Sequence, residues 1–473
     1  MSKPTTQHSS ALKQNRKFDL TNGPIFRGML TLSIPIMLTG LVQTLQNLVG
    51  AFWMSRLGEQ YVLGVGLAMQ FTWLCMGFMI ACRIGSEIGV SQSVGKNDFE
   101  SAQDFARNGL VLAFFLGVFL AITTFVFRHQ FLSIFPNEGN EYALSAAVQY
   151  LEIAVIAIPF MFVHFLITGV YGGFGNTRLP FYINVGAIVA NIVLTPFFVF
   201  TLDMGIRGAA LSLVVVNIGN CLVKIWAMTI YRNRPFQRFR LFGRIQREKI
   251  NQIISWSAPM AVEQVGFTLL FMGVSIIILD FGTGPGAVQT LGVQIESMVF
   301  MVASGFSSAL VAFVGQNYGA KKWDRLNRSR KLAFRMMFAY GVFSAIFLFI
   351  FAEPLMRMFL DDMEYLSLGV DYLRILAACQ VLFCMDAVAL AFFRGRGKVL
   401  PPMTVILGSG GLRVFLAWSL SMPLGLGVTG IWIAKAITMT VRSITLLVWG
   451  MVSWKKEKYK FDMIENEQQE GTA

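Results

Sequence analysis

Three carboxylates lie deep inside long apolar runs. Glu263 stands about half way along the run 250–279, in Ala258-Pro259-Met260-Ala261-Val262-Glu263-Gln264. Glu296 is near the middle of the run 286–313, and Asp386 lies within Phe383-Cys384-Met385-Asp386-Ala387-Val388. An ionisable side chain at the centre of a hydrocarbon layer costs about 2.5–3.5 kcal/mol on insertion scales, so each of these acids is a candidate for function. Carboxylates on three helices suit a small cation, because Na⁺ takes several oxygen ligands and H⁺ takes one carboxyl of altered affinity. The coupling-ion candidates are therefore Glu263, Asp386 and Glu296, with Glu263 and Asp386 as the metal ligands if the ion is Na⁺. The competing reading is that one or more of them pairs with a structural cation such as Arg413 or Lys435.

The elements that carry these acids follow from composition. Of 473 residues, 55% are hydrophobic and 14% charged, against about 25% charged in soluble globular domains. The mean hydropathy is +0.60, which excludes a water-soluble enzyme. A hydrocarbon core of about 30 Å needs about 20 apolar residues per helix. That length picks out twelve spans, at 28–54, 61–90, 109–128, 143–169, 180–201, 206–230, 250–279, 286–313, 333–352, 369–392, 401–421 and 427–450. The five cysteines all fall in apolar stretches and are odd in number, which argues against a disulfide scaffold.

The formal charge of +13 would suggest nucleic acid in a soluble chain, but here it sorts by connection. Even-numbered connections and both tails hold most of the cations, including Lys13, Arg16, Lys17, Arg27, Arg232 to Lys249, Lys321 to Lys331 and Lys455 to Lys460. Odd-numbered connections hold little beyond Arg56, Arg128, Arg207 and Arg357, and carry acids such as Asp361, Asp362 and Glu364. By the positive-inside rule both termini are cytoplasmic, in the cell inner membrane. The segment Met1–Thr21 lacks the apolar core and cleavage site of a signal peptide, and is expected to stay attached.

The chain also repeats itself. Ser33-Ile34-Pro35 recurs as Ser257-Ala258-Pro259, an offset of 224 that also maps Gly58 onto Gly282, Gln92 onto Gln316 and Gly95 onto Gly319. Beyond a two-residue deletion the offset is 222, pairing Tyr150-Leu151 with Tyr372-Leu373, Gly175 with Gly397 and Gly205 with Gly427. An even number of spans per copy gives both copies the same orientation. The expected fold is an all-α polytopic membrane protein, twelve transmembrane helices in two six-helix lobes related by a pseudo-two-fold axis along the membrane normal. The expected organisation is a cytoplasmic tail at 1–24, a first lobe at 25–231, a basic linker at 232–249, a second lobe at 250–452 and a cytoplasmic tail at 453–473. Two such bundles rocking about a shared cavity give alternating access, which favours a secondary transporter, and no Walker-type sequence points to ATP.

The first copy lacks equivalent acids. Asp386 maps onto His164, Glu263 onto Thr39 and Glu296 onto Thr72, while Glu87 with Arg83 reads as an i,i+4 pair. His164, Asn184, Asn191, Thr195, Gln43 and Asn47 are the candidates for a substrate site or a polar site in the first lobe, or else for hydrogen bonds between helices.

The sequence resembles the multidrug and toxic compound extrusion (MATE) transporters. Leu32-Ser33-Ile34-Pro35-Ile36-Met37-Leu38, followed by Asn47-Leu48-Val49-Gly50-Ala51-Phe52-Trp53, looks like the first-helix signature of that family. Val314-Gly315-Gln316-Asn317-Tyr318-Gly319-Ala320 is similar to its VGQNxGA motif, and Phe393-Arg394-Gly395-Arg396-Gly397-Lys398 to its LRGxGxT loop. The resemblance covers about 24–450 and implies two lobes, a central cleft and export of amphipathic organic cations in exchange for Na⁺ or H⁺. It also implies that Glu263 and Asp386 are the second-lobe acids of NorM-like members. Two positions depart from the pattern: Gly50 stands where an aspartate commonly follows Asn-Leu-Val, and Thr195 where Leu-Asp-Pro is common. The alternative is a flippase or exporter of a lipid-linked or narrow metabolite substrate on the same fold, for which Arg413 and Lys435 are the available cavity cations. An enzyme finds no support, since HExxH and GxSxG are missing and histidine totals three. The expected partners are a small-molecule substrate and membrane lipid, with no nucleic acid and no cofactor beyond the coupling ion; the functional unit is expected to be a monomer.

Overall fold

The computed structural model describes residues 19–133, 141–231, 234–236, 239, 243, 245–360 and 362–470. They form helices and turns without a strand, and twelve of the helices are long and apolar enough to cross a membrane. In chain order these are α1 (Ile25–Ser55), α2 (Glu59–Gly95), α3 (Phe99–Leu132), α4 (Glu141–Gly173), α5 (Arg178–Thr201) and α6 (Gly205–Thr229). The second set is α7 (Arg247–Leu279), α8 (Thr283–Gly319), α9 (Trp323–Ile350), α10 (Met363–Gly395), α11 (Leu400–Ser421) and α12 (Gly427–Glu470). A three-residue 3₁₀ turn, Val155–Ala157, interrupts α4, and a π-turn, Phe197–Thr201, closes α5 after Pro196.

Several helices overrun their apolar cores, because polar residues continue the same hydrogen-bond ladder into the interface. The clearest case is α12, whose apolar run ends near 450 while the helix continues to Glu470. Its extension is held by Glu457, which accepts from Arg396 Nη1 at 2.6 Å and pairs with Lys398, both in the turn between α10 and α11. The segment 453–473, expected as a tail, is thus helical through residue 470.

By internal packing the chain divides into two compact units, Met1–Ala261 and Val262–Ala473. The division falls within α7. In the first unit α4 is the hub, packed on α2, α3 and α6; in the second, α10 packs on α8, α9 and α12. The most apolar windows of α4 and α10 are 61% and 67% buried, against 17–28% for α3, α5, α9 and α11. The less buried helices carry exposed large apolar side chains such as Phe115, Phe119, Phe343 and Ile350, a surface suited to lipid. In the first unit, described residues of the basic linker also pack: Gln246 bonds Asp104 and Asn108, and Lys249 bonds Ser101.

The duplication is written into the backbone. Among the described residues, all those with φ in the left-handed region except Gly23 pair off: Gly58 (133°) with Gly282 (104°) and Asn97 (60°) with Lys321 (55°) at the 224 offset, then Gly175 (87°) with Gly397 (78°), Asp203 (52°) with Gly425 (68°) and Gly205 (54°) with Gly427 (58°) at 222. Each such residue terminates or starts a helix. After α2, Asn97 N–H donates to the carbonyl of Val94 and Asp98 N–H to that of Ser93; after α8, Lys321 and Lys322 do the same to Tyr318 and Asn317. These bonds cap orphan carbonyls of the last turn.

Close helix contacts repeat as well. A Cβ on Gly208 would lie 2.6 Å from the carbonyl oxygen of Phe198, and one on Gly430 2.9 Å from that of Leu420. At Gly395 of α10 a Cβ would lie 2.7 Å from Val314 Cβ and 2.8 Å from the carbonyl oxygen of Val311, so α8 and α10 touch there backbone to backbone. Gly395→Ala should lower the thermal midpoint, at a cost of about 1–3 kcal/mol for overpacking. Gly408→Ala, where a Cβ meets nothing within 4 Å, should leave it unchanged or slightly raised. Thermal unfolding of the purified protein in detergent distinguishes the two, and equal midpoints would remove close approach as the reason for Gly395.

Candidate functional site

Each of the three deep acids lies against a basic side chain, and all six partners belong to the second unit. Glu263 of α7 accepts from Arg394 Nη2 of α10 at 2.7 Å through Oε1. Its other oxygen, Oε2, is buried without a hydrogen-bond partner among the described residues, and so is Arg394 Nε. Asp386 of α10 accepts through Oδ2 from Arg442 of α12, Nε at 2.9 Å and Nη2 at 2.5 Å, and from Ser443 Oγ at 3.2 Å. Glu296 of α8 accepts from Lys435 Nζ of α12 at 2.5 Å and from the Tyr372 hydroxyl of α10 at 3.3 Å, while Lys435 also donates to Tyr372 Oη at 2.9 Å. All three acids thus have a cation partner, and that of Glu296 is Lys435, one of the two cations offered as examples above.

The acids also do not gather. Among the described residues no group of three or more His, Cys, Asp or Glu side chains stands where it could hold a metal ion. Low dielectric is the cause: three ionised carboxylates converging in hydrocarbon would repel strongly, whereas three separate ion pairs neutralise each acid locally.

Two of these pairs, through Lys435 and Arg442, border an open cavity lined by α7, α8, α11 and α12, with Phe267, Phe271, Trp432 and Arg413 also among its walls. Trp432 is anchored by its indole N–H on Gln289 Oε1 at 2.9 Å and meets the Tyr372 ring edge-on at 5.2 Å. Tyr372 takes that position because Gly292 leaves room for it; a Cβ there would lie 2.2 Å from the ring. Arg413 has no carboxylate partner among the described residues, and its Nε donates to Thr438 Oγ1 at 3.0 Å.

The first unit places the neutral candidates in two clusters. Gln43 Nε2 donates to Gln46 Oε1 at 2.9 Å, Gln46 Nε2 to Asn191 Oδ1 at 3.0 Å and Asn191 Nδ2 to Ser212 Oγ at 3.1 Å; the Ser212 hydroxyl lies 2.9 Å from Thr195 Oγ1. Gln43, Asn191 and Thr195 thus form one chain through Gln46 and Ser212, two residues that sequence reasoning did not single out. The side chain of Asn47 lies outside the described residues. At Gly50 a Cβ would meet nothing within 4 Å.

The second cluster is built on Lys224 of α6, which is fully buried. Its Nζ donates to Asn184 Oδ1 at 2.7 Å and Thr168 Oγ1 at 2.9 Å, and lies 3.3 Å from the carbonyl oxygen and 3.4 Å from Nδ1 of His164. Asn217 commits its amide N–H to the carbonyl of Leu213, so its Oδ1, 3.1 Å from His164 Nε2, is left to accept. In that arrangement His164 donates from Nε2 to Asn217, and its Nδ1 faces Lys224. Lys224 was missed because a single lysine inside an apolar run of a strongly basic chain carries no periodic signal; its place opposite the acid-bearing position of the other copy was the available one. Arg83 and Glu87 pair at 3.4 Å within α2.

The family description MatE matches residues 35–197 and 259–419, two segments whose starts are 224 apart, the offset of the internal repeat. The chain belongs to the MatE family. Among similar proteins, the probable multidrug resistance protein YoeA of Bacillus subtilis is 26% identical over 446 residues, covering 92% of this chain and 95% of that one. The probable multidrug resistance protein NorM of Thermotoga maritima is 25% identical over 439 residues, covering 92% and 94%. A crystal structure of MATE in the bent conformation superposes with a TM-score of 0.88 at 23% identity, covering 95% of this chain and 99% of that one. This MatE chain has the twelve-helix, two-lobe fold of such structures. It is a multi-pass membrane protein and a transporter of small molecules, not an enzyme.

Asp386 is 1% exposed, so removing its charge strands Arg442 in low dielectric. Asp386→Asn should cost about 3–5 kcal/mol of stability, the usual penalty for breaking a buried pair, and adding Arg442→Met should recover much of it. Thermal unfolding of the two variants tests this; a double variant as unstable as the single one would mean that the pair does not stabilise α10 against α12.

Proposed function

We propose that this MatE protein exports amphipathic organic compounds from the cytoplasm by alternating access of its two lobes, in exchange for H⁺ or Na⁺ bound at Glu263 and Asp386. The observation that carries the reading is the buried, unsatisfied Oε2 of Glu263 beside a single Arg394 contact on Oε1. A proton arriving at Oε2 neutralises the carboxyl, weakens the pair and frees Arg394, so binding of the ion alters the grip between α7 and α10. At Asp386 a proton competes with Arg442 and Ser443 in the same way. Glu296 is the third acid of the set, held by two donors, Lys435 and Tyr372. Were the ion Na⁺, Glu263 and Asp386 would be the ligands, each having to loosen its arginine first; H⁺ makes the smaller demand.

The two-lobe mechanism takes 25–231 and 250–452 as the moving bodies, a monomer as the working unit and the cytoplasm as the side of both termini. Support for a broad substrate range comes from the relatives named as probable multidrug resistance proteins. His164, Asn184, Asn191, Thr195, Gln43 and Asn47 are the proposed polar site of the first lobe, where neutral hydrogen-bonding groups take the place of the family's aspartates. A lipid-linked or narrow metabolite substrate is the second reading, favoured by the basic wall of the second unit's cavity.

Proteoliposomes loaded with a fluorescent amphipathic dye of either sign, ethidium or 1-anilinonaphthalene-8-sulfonate, and given either a proton gradient without Na⁺ or a Na⁺ gradient at clamped pH should identify the driving ion. In Glu263→Gln the gradient-driven rate should fall at least tenfold at equal insertion, and in Asp386→Asn likewise. Driven transport that persists with both carboxyls neutralised would remove them from the coupling step.

A further inference from the structure

We propose that the cavity between α7, α11 and α12 of the second unit binds an amphipathic monoanion: an aromatic or otherwise apolar body carrying one carboxylate, sulfonate or phosphate that Arg413 takes. This deepens the exporter reading above by naming the polarity of its load, and rests on that reading only for the step from binding to transport.

The charges lining the cavity decide the sign. Three cations reach its wall, Arg413, Lys435 and Arg442. Two are matched, Lys435 by Glu296 and Arg442 by Asp386. Arg413 is not: among the described residues it makes one hydrogen bond, from Nε to Thr438 Oγ1 at 3.0 Å. Thr438 in turn donates to the carbonyl of Ala434 at 2.8 Å, so its oxygen is turned toward Arg413 and pins the guanidinium by its inner edge. A guanidinium has five N–H donors, which leaves the four on Nη1 and Nη2 for a ligand, in the fork geometry that matches a carboxylate or phosphate in two parallel bonds.

An organic cation fares badly in the same place. It would meet one surplus positive charge, and to gain a carboxylate it would have to pull Asp386 from Arg442 or Glu296 from Lys435, leaving another buried cation unmatched. The rest of the wall fits an apolar body: Phe267 and Phe271 from α7, and Trp432, held edge-on to Tyr372 and fixed by Gln289. Rigid aromatic faces beside one fixed bidentate donor describe a site with few, convergent polar groups in an apolar pocket.

The decisive probes share one body and differ in sign: naphthalene-1-acetate and naphthalene-1-methylammonium, titrated calorimetrically into the full-length protein in detergent. The acetate should bind at least tenfold more tightly than the ammonium. Arg413→Gln should weaken the acetate at least tenfold, and Arg413→Lys, which keeps the charge but not the fork, should weaken it less. Equal or tighter binding of the ammonium to the unaltered protein overturns the proposal and needs no variant to fold; so does an Arg413→Gln protein of unchanged thermal midpoint that binds the acetate as before. Repeating the titration in nanodiscs separates the sources of the anion. Acetate binding abolished by phosphatidylglycerol, and intact in phosphatidylcholine, assigns the site to an anionic lipid headgroup; equal binding in both assigns it to a free anion. Binding with the expected sign but no driven export would leave the site standing and remove the exporter reading instead.

Discussion

The charge balance of a low-dielectric interior governs this structure. A carboxylate or a cation taken out of water must find an opposite charge, a set of hydrogen bonds, or a way to lose its own charge. The second unit uses the first solution three times, and in each case the pair joins two different helices: α7 to α10, α10 to α12 and α8 to α12. The hub helix α10 supplies a member of two of these pairs and, through Tyr372, a donor to the third. The acids that mark the site are therefore also what ties the hub to its neighbours. Under the proposed coupling, an ion that protonates or ligates one of them loosens a contact between two helices, and that link of charge to packing is what an ion-driven transporter needs.

The two copies of the repeat have kept backbone geometry and let charge diverge. Five pairs of left-handed residues and matching glycine contacts recur at the repeat offsets, because a helix end with positive φ or a backbone-to-backbone contact tolerates few residues. Lys321 occupies one such position despite its Cβ, at some local cost, since the capping turn is fixed by its neighbours. Buried polar centres face no such geometric requirement. Where the second copy sets Asp386 of α10 against Arg442 of α12, the first sets His164 of α4 against Lys224 of α6. The same pair of helices is joined in both copies, once by opposite charges and once by a shared hydrogen bond between two bases.

The sequence made the spans, the repeat and the depth of Glu263, Glu296 and Asp386 legible, because each depends on local composition or on a fixed offset. Partners were harder to read. Lys435 could be named as a partner without saying for which acid, and Arg394 and Arg442 could not be assigned to Glu263 and Asp386, since hydropathy does not say which faces of which helices meet. Arg394 sat in a recognisable loop motif, Phe393 to Lys398, that gave it no partner. Gln46 and Ser212, which join Gln43, Asn191 and Thr195 into one chain, read in sequence as ordinary polar residues of helices. The helical extension of α12 past residue 450 was hidden by its charge, although charged residues rich in Lys and Glu are good helix formers and Glu457 has two cations to hold it.

Lys224 of the first unit and Arg413 of the second are both without an acid partner among the described residues, and the two differ in what is left over. Lys224 has three N–H donors and four acceptors within reach, from His164, Thr168 and Asn184. Its hydrogen bonding is complete, and nothing remains to offer a ligand. Arg413 has five donors and one acceptor, Thr438, and it opens onto a cavity with aromatic walls. Charge alone would rank the two bases equally. Satisfaction of their hydrogen bonds separates them: Lys224 has become part of the frame that holds α4, α5 and α6 together, and Arg413 keeps the unspent donors that give the second unit's cavity its preference for a negative group.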